Sequence, residues 1–199
     1  MNPRLALRIG TLLAAVVLGF YALGQWMAGQ DGPRTLDWYG DYEEHLWEPL
    51  RSGNLTLART DAALGMGRLW MISADGAPLL VSRYRLESDG QVWRLQGVVA
   101  LAEQQMASLV QAQAWTPGMT DQAVSPAVAA GLSGHLLERV SVIPEEAVEV
   151  RFIQGTFGNP DMRMEVRPGD EAWIYGRAGA VVAVNGELAH SIMFGLRPQ

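Results

Sequence analysis

The chain has 199 residues, of which 49% are hydrophobic and 18% charged, so it is too apolar for a disordered protein and suits one compact domain with an appendage. It contains no Cys, which excludes disulfides, thiolate metal sites and thiol nucleophiles. The net charge of −6, without any basic cluster, argues against nucleic-acid binding. All 15 basic residues are Arg, which excludes Schiff-base chemistry at Lys.

The N-terminal segment carries the strongest pattern. Residues 9–30 are uncharged, and as a helix the residues 9–28 would span about 30 Å, the hydrocarbon thickness of a bilayer. Arg4 and Arg8 precede this stretch with no acid near them, whereas Asp31, Arg34 and Asp37 follow it. The uncharged stretch predicts a transmembrane anchor at 9–29. The distribution of flanking charges predicts a cytoplasmic N-terminus at residues 1–8 and an exported C-terminal part.

A cleaved signal peptide is the competing interpretation, with residues 9–21 as its apolar core and Ala22-Leu23-Gly24 as its cleavage site. Apolar sequence continues beyond that site through Trp26 and Met27, which favours a retained anchor. Both interpretations predict export.

The segment 30–34 is a short tether, with a fully extended reach of about 17 Å. It predicts that a domain formed by residues 35–199 lies close to the membrane. The Arg-only, Ala- and Gly-rich composition is typical of a GC-rich bacterium. This domain is therefore expected in the periplasm and the anchor in the inner membrane.

The segment after the tether predicts a helix, capped by Thr35 and ending near Leu50. It also carries five acidic residues, which disfavour an interfacial helix on anionic lipid. One interpretation is an amphipathic helix packed on its own domain. The other is a surface that binds a partner protein, formed by Trp38, Tyr39, Tyr42 and Trp47.

The remaining sequence predicts an α+β domain that is mainly antiparallel sheet with two to three helices. Residues 68–73, 79–86 and 91–99 form a meander with turns at Asp75-Gly76 and Asp89-Gly90. Helices are expected over 100–115 and from Ser125 to near Arg139. Half-buried strands are expected at 148–152 and 162–167, followed by strands at 173–175, 180–184 and 187–194, with Asn185-Gly186 predicting a type I′ hairpin.

The sequence offers no catalytic, cofactor or metal motif. His45, His135 and His190 are far apart, without a second His at ligand spacing. Residues 131–135 lack the second Gly of a nucleophile elbow, and Gly65-Met66-Gly67 precedes a strand instead of a helix. No catalytic residue, metal ligand or cofactor is therefore assigned.

These patterns favour a single-pass inner-membrane protein whose periplasmic domain is a non-catalytic accessory subunit or assembly factor of a bacterial envelope complex. The expected partners are the membrane, through residues 9–29, and another envelope protein. The alternative is a periplasmic lipid- or peptide-binding module, in which the helices of residues 100–139 cover the sheet around an apolar pocket. A hydrolase whose residues converge only in space is the third hypothesis.

Overall fold

A computed structural model describes residues 34–195 together with Leu18. The chain divides into two units at Arg34, and the described residues belong almost wholly to the second. The expected cytoplasmic segment, the anchor at 9–29 and most of the tether lie outside the described residues. In the described part, no helix is long and apolar enough to cross a bilayer.

The second unit is built on one antiparallel sheet of ten strands, whose order is β4-β1-β2-β3-β5-β10-β9-β8-β7, with β6 pairing β10. The strands are β1 (Arg68–Ala74), β2 (Ala77–Ser88), β3 (Gln91–Val99), β4 (Gln122–Ala123), β5 (Leu137–Pro144), β6 (Val148–Glu149), β7 (Met162–Arg167), β8 (Asp170–Tyr175), β9 (Ala180–Asn185) and β10 (Leu188–Phe194).

Short helices accompany the sheet: α1 (Asp37–Asp41), a π-helical turn (Glu43–Trp47), α2 (Glu48–Arg51), α3 (Leu57–Leu64), α4 (Glu103–Ala112), α5 (Pro126–Gly131) and α6 (Val150–Phe157). Side-chain oxygens of Thr56 and Ser125 cap α3 and α5 by accepting from the backbone N–H groups of Arg59 and Val128. A mainly antiparallel sheet with several helices confirms the α+β class for this part of the chain.

The core lies on one face of the sheet. Residues directly opposite one another in the register share a face. One such row crosses six strands and is buried throughout: Tyr84, Leu95, Val142, Ile192, Val182 and Trp173. Aromatic residues of α1, the π-helical turn and α6 contact this face, as described below.

The two meander turns have the expected geometry. Asp75 and Gly76 both have positive φ, as do Asp89 and Gly90, which is the type I′ pattern. The last hairpin differs, because its register centres the turn on Gly186-Glu187 and only Gly186 has positive φ. That is the pattern of a type II′ turn, and the predicted type I′ hairpin is wrong.

Two helix predictions need correction. The helix expected over 100–115 occupies only Glu103–Ala112. The helix that begins after Ser125 ends at Gly131 instead of near Arg139, and the last residues predicted to be helical, 137–139, begin β5. Because β5 pairs with both β3 and β10 in the middle of the sheet, its two ladders outweigh the local helical pattern.

Two strand predictions also need correction. The strand expected at 148–152 is only the two-residue β6, and α6 begins at Val150 because Ile153 then reaches the core. The strand at 162–167 forms, but its expected half-burial is wrong, since all six residues of β7 are exposed. β7 is the last strand of the sheet, so nothing described covers its outer side.

Candidate functional site

The four aromatic residues predicted to form a partner-binding surface are not an exposed surface. Trp38 and Trp47 are at most 1% exposed, and Tyr39 and Tyr42 are half-buried. Trp38 packs edge-to-face on Trp93, with ring centroids 5.2 Å apart, and Trp47 stacks on Phe194 at 4.3 Å. Trp38 and Trp47 therefore belong to the core, whereas Tyr39 and Tyr42 keep part of their surface, and binding of a partner by these residues stays a prediction.

A break in the helical segment explains this burial. In one straight α-helix, two residues nine positions apart point in nearly opposite directions. Tyr42 has φ −108° and ψ 10°, which ends α1, and a π-helical turn follows from Glu43. The change of geometry lets Trp38 and Trp47 reach the same core, where their centroids are 5.6 Å apart.

The outer edge of the sheet presents an apolar surface elsewhere. Among the described residues, β7 pairs with β8 alone, so its other side carries unpaired backbone groups. Met162, Met164 and Val166 alternate along it with charged residues and are each at least half exposed. An exposed apolar edge strand is a site to which another strand can add.

A shallow groove continues this edge across the neighbouring strands. Its volume is about 500 Å³, and the face is the one opposite the core. Met164 lies in register with Ala172, Ala172 with Ala183, and Ala183 with Ser191. The groove is lined by small and apolar residues, among them Val166, Ala172, Val181, Ala183, Ser191 and Met193, and by charged and polar residues at its rim, among them Arg167, Asp170, Glu171, Asn185 and His190. We call the three apolar residues of β7 together with this groove the edge surface.

Comparisons with protein families, with curated proteins and with solved structures found no match to this chain.

A second feature is a polar cleft of about 610 Å³ beside the π-helical turn. Glu43 and Arg51 form an ion pair through Oε1 and Nη2, and Nη1 of Arg51 donates to the hydroxyl of Tyr39 at 3.4 Å. The opposite wall comes from the loop after α6 and from the end of β8 with the turn that follows it, which supply Asp161, Tyr175 and Arg177. We call this the polar cleft.

Burial sets the protonation of the cleft tyrosines. It raises the pKa of Tyr175 to about 12, with Arg163 opposing the shift and Asp161 adding to it. Burial also raises the pKa of Tyr39, and the Glu43 carboxylate adds to that shift. Both hydroxyls therefore keep their protons at neutral pH and can donate hydrogen bonds.

Neither feature was assigned from sequence. The residues of the polar cleft are spread from position 39 to position 178, and only the sheet register and the π-helical turn bring them together. The alternation in β7 was visible, but it does not say which strand ends the sheet. The histidines do not converge: His190 lines the groove, His135 lies 3.2 Å from the Gln105 amide, and His45 is exposed on the π-helical turn.

Proposed function

We propose that this chain is a single-pass inner-membrane protein whose periplasmic domain is a non-catalytic accessory subunit or assembly factor of a bacterial envelope complex. The domain contacts its partner, another envelope protein, through the edge surface. The observation that carries this proposal is β7, an edge strand with all six residues exposed and three of them large and apolar.

An exposed apolar edge strand promotes aggregation unless another chain or segment covers it. An unpaired edge invites pairing with other chains, and soluble domains usually shorten, twist or charge such edges. In β7, Arg163, Glu165 and Arg167 supply charge, but Met162 and Met164 share a face with the groove. A partner strand paired with β7 would satisfy the free backbone groups, and its side chains would cover the methionines, which adapt well to varied surfaces.

The membrane anchor supports the same proposal from the sequence. Residues 9–29 are apolar and uncharged, and a tether of five residues follows them. A domain held this close to the bilayer encounters neighbouring membrane proteins at high effective concentration. The accessory role therefore needs only moderate affinity at the edge surface.

The alternative of a lipid- or peptide-binding module places its ligand differently. That hypothesis needs an apolar pocket beneath the helices of residues 100–139. The groove of the edge surface instead lies on the open face of β8, β9 and β10. A peptide bound in this groove would lie on the open face of the sheet and not beneath those helices.

Site-specific photo-crosslinking in cells that express the full chain tests the proposal. A photoreactive residue at position 164 should give a discrete crosslinked band with another envelope protein, whereas the same residue at Met66, which is almost fully exposed on a loop, should not. Replacing Met162→Glu and Met164→Glu together should abolish co-purification of that protein in mild detergent, and Met66→Glu should leave it unchanged. Crosslinks that are equal at both positions, or co-purification that survives the double substitution, would contradict the proposal.

Anchoring and orientation need separate measurements. The mass of the protein in the membrane fraction should include residues 1–24, and a mature N-terminus at Gln25 would instead show a cleaved signal peptide. A reporter that is active only outside the cytoplasm, fused after Gln199, should be active. Activity of a cytoplasmic reporter at that position would overturn the proposed orientation.

A further inference from the structure

We infer that the polar cleft binds a free α-amino acid, with the ligand carboxylate on Arg177 and the Tyr175 hydroxyl and the ligand ammonium on Glu43. This inference does not depend on the proposed docking role, because the polar cleft and the edge surface are formed by different residues.

Unpartnered polar atoms are the first argument. Tyr175 is 3% exposed, yet its buried hydroxyl has no hydrogen-bond partner. Oε2 of Glu43 is also buried and unpartnered, while Oε1 of the same carboxylate pairs with Arg51. Buried polar atoms are nearly always hydrogen-bonded in folded proteins. Four other buried atoms in the described residues also lack a partner, on Trp38, Trp47, Trp115 and Gln122, but those residues line none of the described pockets. Glu43 and Tyr175 both line the polar cleft, where a ligand can reach their side chains.

The charges of the polar cleft are the second argument. Glu43 and Asp161 are balanced by Arg51 and Arg177, so a ligand without net charge fits best. Arg51 is engaged by Glu43, and Oδ2 of Asp161 accepts from the backbone N–H of Gly176 at 2.7 Å. Arg177 has no ion pair with any carboxylate in the described part of the chain. Its planar guanidinium suits a carboxylate.

The remaining groups therefore complement a zwitterion. Arg177 offers charged donors, the neutral Tyr175 hydroxyl offers one more, and Oε2 of Glu43 offers a charged acceptor for an ammonium group. The volume of about 610 Å³ is ample for a ligand of this size. An apolar ligand would leave all three groups unpaired.

The arrangement of the rings argues against a carbohydrate. Sugar rings usually stack on a free aromatic face, but the rings beside the polar cleft already contact one another. Tyr39 is stacked with Trp47 and Phe194, at centroid distances of 6.3 and 6.0 Å, and Phe157 packs against Tyr39 and Tyr175. Recognition in this cleft relies on charge and hydrogen bonds.

Titration calorimetry on the purified full chain tests the assignment, using the common L-amino acids at millimolar concentration as probes. At least one should bind, and its N-acetyl and carboxamide derivatives should each bind at least about tenfold more weakly, because each lacks one charged group. D-glucose should not bind. Failure of every amino acid, or equal binding of the N-acetyl derivative, would overturn the inference.

Matched variants connect binding to the polar cleft. Arg177→Gln should weaken binding at least about tenfold, whereas Arg94→Gln, at another exposed arginine, should not change it. Tyr175→Phe should weaken binding several-fold without lowering the thermal midpoint, because the hydroxyl has no partner to lose. Tyr84→Phe is the control for losing a tyrosine hydroxyl elsewhere, and it should leave affinity unchanged. Full affinity in Arg177→Gln would place the ligand elsewhere.

Discussion

Tyr84 donates a hydrogen bond from its hydroxyl to Oδ1 of Asp61 at 2.8 Å. The same carboxylate oxygen accepts from the backbone N–H of Gly67 at 3.0 Å. Tyr84 belongs to the buried row of β2 and Asp61 to α3, so this carboxylate ties the helix and the start of β1 to the sheet. The contact differs in kind from the unpartnered hydroxyl of Tyr175.

Tyr84→Phe should lower the free energy of unfolding by about 1–2 kcal/mol, because it removes a hydrogen bond to a charged acceptor. Tyr175→Phe removes a hydroxyl of the same type that has no partner, so it should leave the free energy of unfolding unchanged or raise it. Urea denaturation of both variants provides the comparison. Equal losses would show that the Asp61 contact contributes no more than an unpaired hydroxyl.

The domain should lose stability in alkaline solution. Burial raises the pKa of Tyr84 above its ordinary value near 10, with Ser82 opposing the shift and Asp61 adding to it, and burial raises that of Tyr175 to about 12. The folded state holds these protons more tightly, so their contribution is complete below pH 10 and falls as the pH rises beyond it. The thermal midpoint should decline above pH 10, and Tyr84→Phe should decline less steeply. A parallel decline in both proteins would remove Tyr84 as the cause.

Gly67→Ala should destabilise the domain because Tyr84 occupies the space beside this glycine. A Cβ atom at position 67 would lie 2.4 Å from Cε1 of the Tyr84 ring. Overpacking of this kind costs about 1–3 kcal/mol. Gly134→Ala is the control, because nothing lies within 4 Å of its Cβ position. Thermal denaturation should separate the two variants, and similar midpoints would mean that the ring moves aside freely.

Trp38→Ala and Trp47→Ala should both destabilise the domain strongly, by about 3–5 kcal/mol each, because both rings fill the core. Tyr42→Ala should have a smaller effect, since this side chain is only half-buried. Urea midpoints of the three variants test this order. A Trp38→Ala variant with normal stability would instead support the prediction that this ring binds a partner.

The sequence revealed features that short-range chemistry determines. The Asp-Gly pairs placed two hairpins correctly because only positive φ at both positions closes a type I′ turn. Features that depend on distant pairing were missed. The helical pattern extends over residues 137–139 at the start of β5, because the place of β5 between β3 and β10 is invisible locally. The strand pattern extends over residues 150–152 at the start of α6, because their apolar residues also alternate.

In the candidate sites, too, local features could be predicted from the sequence, whereas features that depend on distant contacts could not. The aromatic residues near Trp38 were recognised as unusual, but assigning them to a surface required a straight helix. The break at Tyr42 and the π-helical turn have no sequence signature that separates them from an ordinary helix. For the polar cleft, Glu43 and Arg51 are two turns apart on the same segment, but Asp161 and Arg177 join them only after the sheet has formed.

Asp89 links one of the meander turns to the first helix. Its Oδ1 accepts from the backbone N–H of Asp37 at 3.3 Å, beside the start of α1. Partial burial raises the pKa of Asp89; the Asp37 backbone hydrogen bond opposes this shift, and the Asp37 carboxylate adds to it. Ionised Asp89 is therefore less favourable in the folded state than in the unfolded state.

Asp89→Asn should raise the free energy of unfolding at pH 7, because asparagine keeps the acceptor and the positive φ while it removes the charge. The gain from the lost charge should stay below about 0.5 kcal/mol, since the carboxylate is largely solvated. A raised folded pKa means that wild-type stability is complete below the unfolded pKa and falls as the pH rises through the folded value. The advantage of the variant should consequently shrink at pH 3.

Asp75→Asn makes the same change at the equivalent position of the other type I′ turn and measures the general preference for asparagine. Urea denaturation of both variants at pH 7 and pH 3 should show that the increase in the free energy of unfolding depends on pH for Asp89→Asn alone. An equal, pH-independent increase in both variants would mean that the charge at position 89 does not affect stability.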